Sequence, residues 1–177
     1  MAGGPQRATL AQMEAVAGDT TIGHATAYAS TLEALSGTEA PFRAQWLRSL
    51  ALELERLANH TGDLGALAGD VAFLPTASAC GKIRGDFLNL TALLCGNRFG
   101  RGLVCPGGGP LDVDADRRGR LRERLEVSLA DVEQAAAWLW DPTAWWSPTP
   151  MWSTAQPRSE SSWRAASRSK RSSLSVH

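Results

Sequence analysis

Residues 41–69 constrain the fold more than any other stretch of this chain. Leu47, Leu50, Leu54, Leu57, Leu64 and Ala68 recur at a spacing near 3.6 residues, which is one apolar stripe on a helix. Glu53, Glu55, Arg56 and Asp63 occupy much of the remaining surface. Glu39 and Pro41 stand where a helix N-terminus favours an acid and a proline. A helix this long and this one-sided must bury its stripe against other helices, because helical stability in water comes mostly from tertiary packing.

The partners are legible on either side. Residues 13–37 read as a helix with Ala25, Tyr28, Leu32 and Leu35 at helical spacing and Gly37 as its terminator. Ala79 to Cys95 reads as a third helix, with Ile83, Phe87, Leu90 and Leu94 on one face. Ala115 to Trp140 reads as a fourth, carried by Leu121, Leu125, Leu129, Val132, Ala136 and Leu139. Between them, Asn97 to Val113 holds Pro106-Gly107-Gly108-Gly109-Pro110 and reads as a short extended segment and a turn. The expected fold is mainly α, an antiparallel bundle of about four helices with that extended segment after the third. Residues 1–12 read as a flexible N-terminus and 13–141 as the helical domain.

Residues 142–177 differ in kind. Trp145, Trp146, Trp152 and Trp163 stand among many serines, arginines and prolines, with almost no aliphatic residue before Leu174. No helical or strand period survives, and such a segment cannot bury enough to offset its ordering entropy. It reads as a disordered tail. Two origins fit its composition: a G+C-rich gene read out of frame, or a genuine low-complexity tail.

Composition narrows the function classes. A chain of 177 residues suffices for one modest domain with a real core. Its formal net charge is zero, so no global field draws it to nucleic acid or anionic lipid. No stretch approaches the roughly 20 apolar residues of a membrane helix, and Met1–Gln12 has no apolar run of the signal-peptide kind. Cys80, Cys95 and Cys105 form no CxxC, so no zinc or iron–sulfur site is signalled. Small core residues are the plainer reading of all three. Pro106–Gly109 lacks the lysine and the spacing of a P-loop and reads as a turn of close backbone approach.

The run APFRAQWLRSLALELERLANHTGDLGA, from Ala40 onward, resembles the start of a long helix in the complex I 49-kDa subunit and in the membrane-bound (group 4) nickel–iron hydrogenase large subunits. Upstream, His24-Ala25, Ala27-Tyr28, Leu32-Glu33 and Leu35 resemble the preceding family helix; downstream, Gly96, Arg98 and Pro106-Gly107-Gly108 resemble its G-x-R…GG turn. The resemblance covers about residues 13–140 and corresponds to the N-terminal part of a longer family domain. It implies an oxidoreductase component that transfers electrons, linked to NADH, quinone or protons, only within a multisubunit complex. It also implies an iron–sulfur small subunit as partner and a cytoplasmic, peripheral position at the inner face of the plasma membrane. The alternative is a non-catalytic fragment that only binds that iron–sulfur partner.

The same resemblance removes the chemical groups. The two cysteines that precede the family histidine in hydrogenases, ligands of the nickel–iron centre, fall on Ala17 and Thr20; neither supplies the soft thiolate such a centre requires. The quinone-binding tyrosine of the complex I branch falls on Gly18, a histidine near the partner's terminal cluster on Gly100, and an arginine before the turn on Cys105. NAD and quinone, or a nickel–iron centre, therefore belong to what the family implies and not to groups held by this chain. No catalytic or metal residue is expected.

The candidate site or subunit-docking residues are His24, Arg43, Arg48, Glu55 and Arg98. His24 could inherit a site role or make one interhelix hydrogen bond; His60 reads as structural. Arg43, Arg48, Glu55 and Arg56 could form a buried ion network that docks a partner, or a solvated helix face. Half-buried charges of that kind need partners.

Overall fold

A computed structural model describes residues 7–109 and 111–140, and within them five α-helices and no strand. They are α1 (Arg7–Met13), α2 (Thr21–Ser36), α3 (Phe42–Asp70), α4 (Leu74–Cys95) and α5 (Ala115–Trp140). The mainly α, antiparallel reading holds. The expectations for residues 142–177 lie outside the described residues.

α3 and α4 form the central hairpin. Residues 71–73 connect them, with Ala72 in the left-handed region at φ 60°. Their contact is built from small residues: the buried line of α3 runs Ala51, Leu54, Ala58, Thr61 and Ala68. Gly65 packs so closely on Cys80 of α4 that an added Cβ would lie 3.0 Å from the Cys80 Cβ. Small side chains let helix axes approach, and the larger leucines flank the seam. Leu47, Leu50, Leu57 and Leu64 are half-buried, so the stripe expected for this helix is rotated toward its alanines. In α4 the expected face is the observed one: Ile83, Phe87, Leu90 and Leu94 are all buried.

α5 returns antiparallel along α4, with Lys82 Nζ 3.4 Å from Asp131 Oδ2. Leu121, Ser128 and Ala135 are its buried positions, while Leu129 is exposed. α2 packs on α3 through Ile22, Ala25 and Ala29. Gly37 closes α2 at φ 64° as a left-handed cap.

Three boundaries differ from the sequence reading. Residues 7–13 form the short helix α1, and residues 14–20 are turns before α2, where a single helix over 13–37 was expected. Glu14 explains the break: it is buried and its Oε1 accepts the Gly102 backbone N–H at 2.7 Å, a contact with the loop after α4. α4 begins at Leu74, five residues earlier than Ala79, because Pro75 is tolerated in the first turn, where its missing N–H has no acceptor to lose. Among the described residues of 97–113 there is no strand, and an isolated bridge pairs Cys105 with Gly108.

Candidate functional site

Two charged residues lie on the buried face of α3, seven positions apart. Arg48 and Glu55 share that face with Ala51 and Ala58. Each reaches a different element.

Arg48 holds the glycine turn. Its guanidinium binds Glu33 of α2 at both ends: Nη1 donates to Oε2 at 3.1 Å and Nη2 to Oε1 at 2.7 Å. Nη2 also donates to the Cys105 carbonyl at 2.7 Å and lies 3.4 Å from that of Gly108. Glu33 Oε1 in turn accepts the Gly107 N–H at 2.7 Å. The side chains are only 8% and 12% exposed. The bidentate geometry is what a planar guanidinium does best. The Arg48 hydrogen bonds hold the Glu33 carboxyl below its ordinary pKa, against the opposing effect of burial. A turn whose N–H and C=O groups are already engaged is a docked loop and no cradle for a phosphate.

Glu55 caps α2. Its Oε2 accepts the Ile22 N–H at 2.7 Å and its Oε1 the Gly23 N–H at 3.0 Å. Thr20, at the capping position, makes no capping bond of its own, so a carboxylate from the neighbouring helix satisfies the orphan donors instead. Burial pushes the Glu55 carboxyl up, opposed by those two backbone donors and by nearby His24.

The other candidates are placed separately. His24 sits one turn into α2, and its Nδ1 bonds to the Thr20 carbonyl at 2.8 Å, beside the Thr20 hydroxyl at 2.9 Å. Arg43 pairs with Asp112 at 2.6 Å and donates to the Val113 carbonyl at 3.0 Å, a pair that is 58% and 70% exposed. That contact, with the Val113 N–H, lowers the Asp112 pKa. Arg56 pairs with Glu53 on an exposed face, and His60 lies 3.9 Å from Asp63. Arg98 is exposed and lines a small cleft with Asp19, Glu55 and Arg84 beside the apolar Ile22, Leu88 and Phe99. Arg43, Arg48, Glu55 and Arg56 therefore do not form one buried network. Arg43, Arg48 and Glu55 serve three separate anchors and Arg56 pairs within α3, because their spacing on a 29-residue helix spreads them over more than three turns.

Glu33 and Glu14 were missed by sequence reasoning. Glu33 lies on the same helical face as Ile22, Ala25 and Ala29, and an acid on an apolar face is the signal that finds it.

The redox positions can be tested against this geometry. Thr20 is engaged with His24, and Ala17 carries no donor. Among the described residues no three His, Cys, Asp or Glu side chains converge. Cys80 is buried at the α3–α4 seam, and the Cys95 thiol donates to the Thr91 and Asn97 carbonyls; burial raises both pKa values, the reverse of a ligating thiolate. A nickel–iron centre does not fit this donor set. Gly100 stands at φ 75°, and a Cβ there would collide with the Ile22 side chain, so no histidine fits that position either. Gly18 has open space around it and no side chain to bind a headgroup.

Comparison with known proteins finds similarity to the same two groups of subunits. No family model matches the chain. The D subunit of the Wolinella succinogenes NADH-quinone oxidoreductase is 28% identical over 137 residues, 77% of this chain and 34% of that protein. Hydrogenase-4 component G of Escherichia coli is 31% identical over 116 residues, 66% of this chain and 21% of that protein. The chain is a partial relative of these two proteins. The corresponding NADH-quinone oxidoreductase protein of Saccharopolyspora erythraea is also similar, 33% identical over 102 residues, 58% of this chain and 23% of its own. Against these three the chain spans between 21% and 34% of the relative's length. Among the described residues no helix is long and apolar enough to cross a membrane.

Proposed function

We propose that this chain is a docking scaffold of a complex I-like or hydrogenase-4-like oxidoreductase assembly, with electron transfer carried out by its partners. The iron–sulfur small subunit is the first such partner, at the cytoplasmic face of the membrane. NAD, quinone or a nickel–iron centre belong to the assembly as a whole in this reading. One observation carries it: Ile22 fills the space at Gly100 where the resemblance puts a redox-site histidine, while Glu33, Arg48 and Glu55 hold the scaffold in place.

The test is co-expression with the iron–sulfur small subunit of the same assembly. Expressed alone, the chain is expected to self-associate through exposed apolar side chains at the tip of the α3–α4 hairpin, Leu67, Val71 and Leu74. With the small subunit it should co-elute as a defined complex, and elemental analysis of the scaffold should find no stoichiometric nickel or iron of its own. A monodisperse monomer indifferent to the small subunit would sink the docking reading. Stoichiometric nickel retained after desalting would sink the claim that the scaffold lacks a redox centre.

A further inference from the structure

α3, α4 and α5 make three sides of a four-helix arrangement. Leu90 of α4 borders α5 near Leu121, as Lys82 borders Asp131 further along, so α5 runs antiparallel to α4 and parallel to α3. The fourth side is an open groove of about 850 Å³ between the first half of α3 and the first half of α5. Its floor is Leu47, Leu50 and Leu54 with Leu90, Leu121 and Leu125. Phe42 and Trp46, edge to face with ring centroids 6.3 Å apart, stand at its α3 wall 76% and 64% exposed. Two bulky aromatics left in water beside a leucine floor are the composition of an interface core.

The rim is predominantly cationic. Arg43, Arg118 and Arg122 border the groove against the single acid Glu53. Glu53 is taken by Arg56, Arg43 by Asp112 and Arg122 by Glu126. Among the described residues Arg118 has no ion pair within 4 Å. It faces the groove 75 positions after Arg43 in sequence, on the opposite wall.

We propose that this groove seats one amphipathic helix of a partner chain, with bulky apolar residues on its buried face and an acidic flank that meets Arg118. The proposal rests on the docking-scaffold reading and specifies its surface. The open side between two parallel helices over a third is the seat that a fourth helix fills in a four-helix bundle. Recognition is of the helix-in-groove kind, with Leu or Met anchors at spacings of three and four residues entering between Trp46 and Leu125. The basic rim fixes the sign of the partner's flank.

The experiment uses the full chain and a designed helical peptide of about 18 residues, roughly five turns. Its buried face carries leucines, and its flanks carry glutamates in one version and lysines in the other. Calorimetric titration should show the glutamate version binding about tenfold more tightly than the lysine version. Trp46→Asp, at an exposed position, should abolish binding, and Arg118→Glu should reverse the preference between the two peptides. No binding, or equal binding of both versions, overturns the proposal. So does a chain whose sedimentation shows a dimer that Trp46→Asp dissociates, because the occupant is then a second copy. Peptide binding that persists when the iron–sulfur subunit fails to co-elute refutes the scaffold reading and leaves the groove standing. The reverse outcome refutes the groove alone.

Discussion

Removing Arg48 should cost far more than removing any exposed arginine of the same helix. Arg48→Ala deletes two hydrogen bonds to Glu33 and the short bond to the Cys105 carbonyl. Charge-assisted bonds contribute about 1.5–3 kcal/mol each, so three at the lower end give about 4.5 kcal/mol. The native state already carries one defect that the substitution relieves, since Arg48 Nε is buried without a partner; such a donor costs about 1–3 kcal/mol. The net expectation is about 3 kcal/mol, at the low end of the roughly 3–5 kcal/mol seen when one member of a buried pair is removed. Glu33 is then left buried with the Gly107 N–H as its remaining partner from this clamp. The comparison is Arg43→Ala, whose exposed pair with Asp112 should contribute about 0–1 kcal/mol. Urea unfolding followed by circular dichroism of the full chain measures both. The double variant Glu33→Leu/Arg48→Met removes both charges together and should cost less than Arg48→Ala alone. A cost under about 1 kcal/mol for Arg48→Ala, the ceiling for an exposed pair, or an equal cost for Arg43→Ala, would show that the clamp does not hold the turn. The pair also sets an acid limit. Because the Glu33 pKa is lowered on folding, its stabilisation is complete above the ordinary carboxylate pKa and is lost as pH falls through the folded value. Glu33→Gln should flatten that acid limb.

Leu54 is 2% exposed, and Leu54→Ala should cost about 2–5 kcal/mol in the same assay, while Leu35→Ala, 80% exposed, should stay within about 0.5 kcal/mol. Gly100→Ala combines a left-handed backbone with a collision on Ile22, so it should destabilise by about 2–4 kcal/mol and recover in part when Ile22→Ala opens the space. Ala72→Gly at φ 60° should stabilise by about 0.5–1 kcal/mol, read as a raised urea midpoint at unchanged slope. Glu55 has its pKa raised on folding, so its contribution declines as pH rises above the ordinary carboxylate value; Glu55→Gln should remove that slope while keeping an acceptor for α2.

Much of the fold was legible because its signals are periodic. Ile83, Phe87, Leu90 and Leu94 were readable as one face of α4 and are all buried. On α3 the leucines were as regular, yet the tightest packing belongs to Ala51, Ala58 and Thr61. Close helix approach selects small side chains, and a hydrophobicity pattern gives those little weight. The anchors were half legible. Arg48 and Glu55 stand out as charges on a buried face, but their partners are separated from them by 15 and by 32 to 33 residues, and no spacing rule links them. The turns at 14–20 were invisible for the same reason, since what holds Glu14 is a backbone amide 88 residues away.

The Glu33–Arg48 clamp also bears on the order of events as the chain folds. Its contacts to the glycine turn close loops of 57, 60 and 74 residues, whereas the α3–α4 hairpin closes over a three-residue connection. Long loops carry the larger closure entropy and reward it only when the rest of the chain is in place. The expected order is therefore the hairpin first, with the clamp latching after the rate-limiting barrier. Its loss should leave the refolding rate nearly unchanged and accelerate unfolding. The pair should then act as a brake on the opening of the helical bundle, lengthening the lifetime of the folded state.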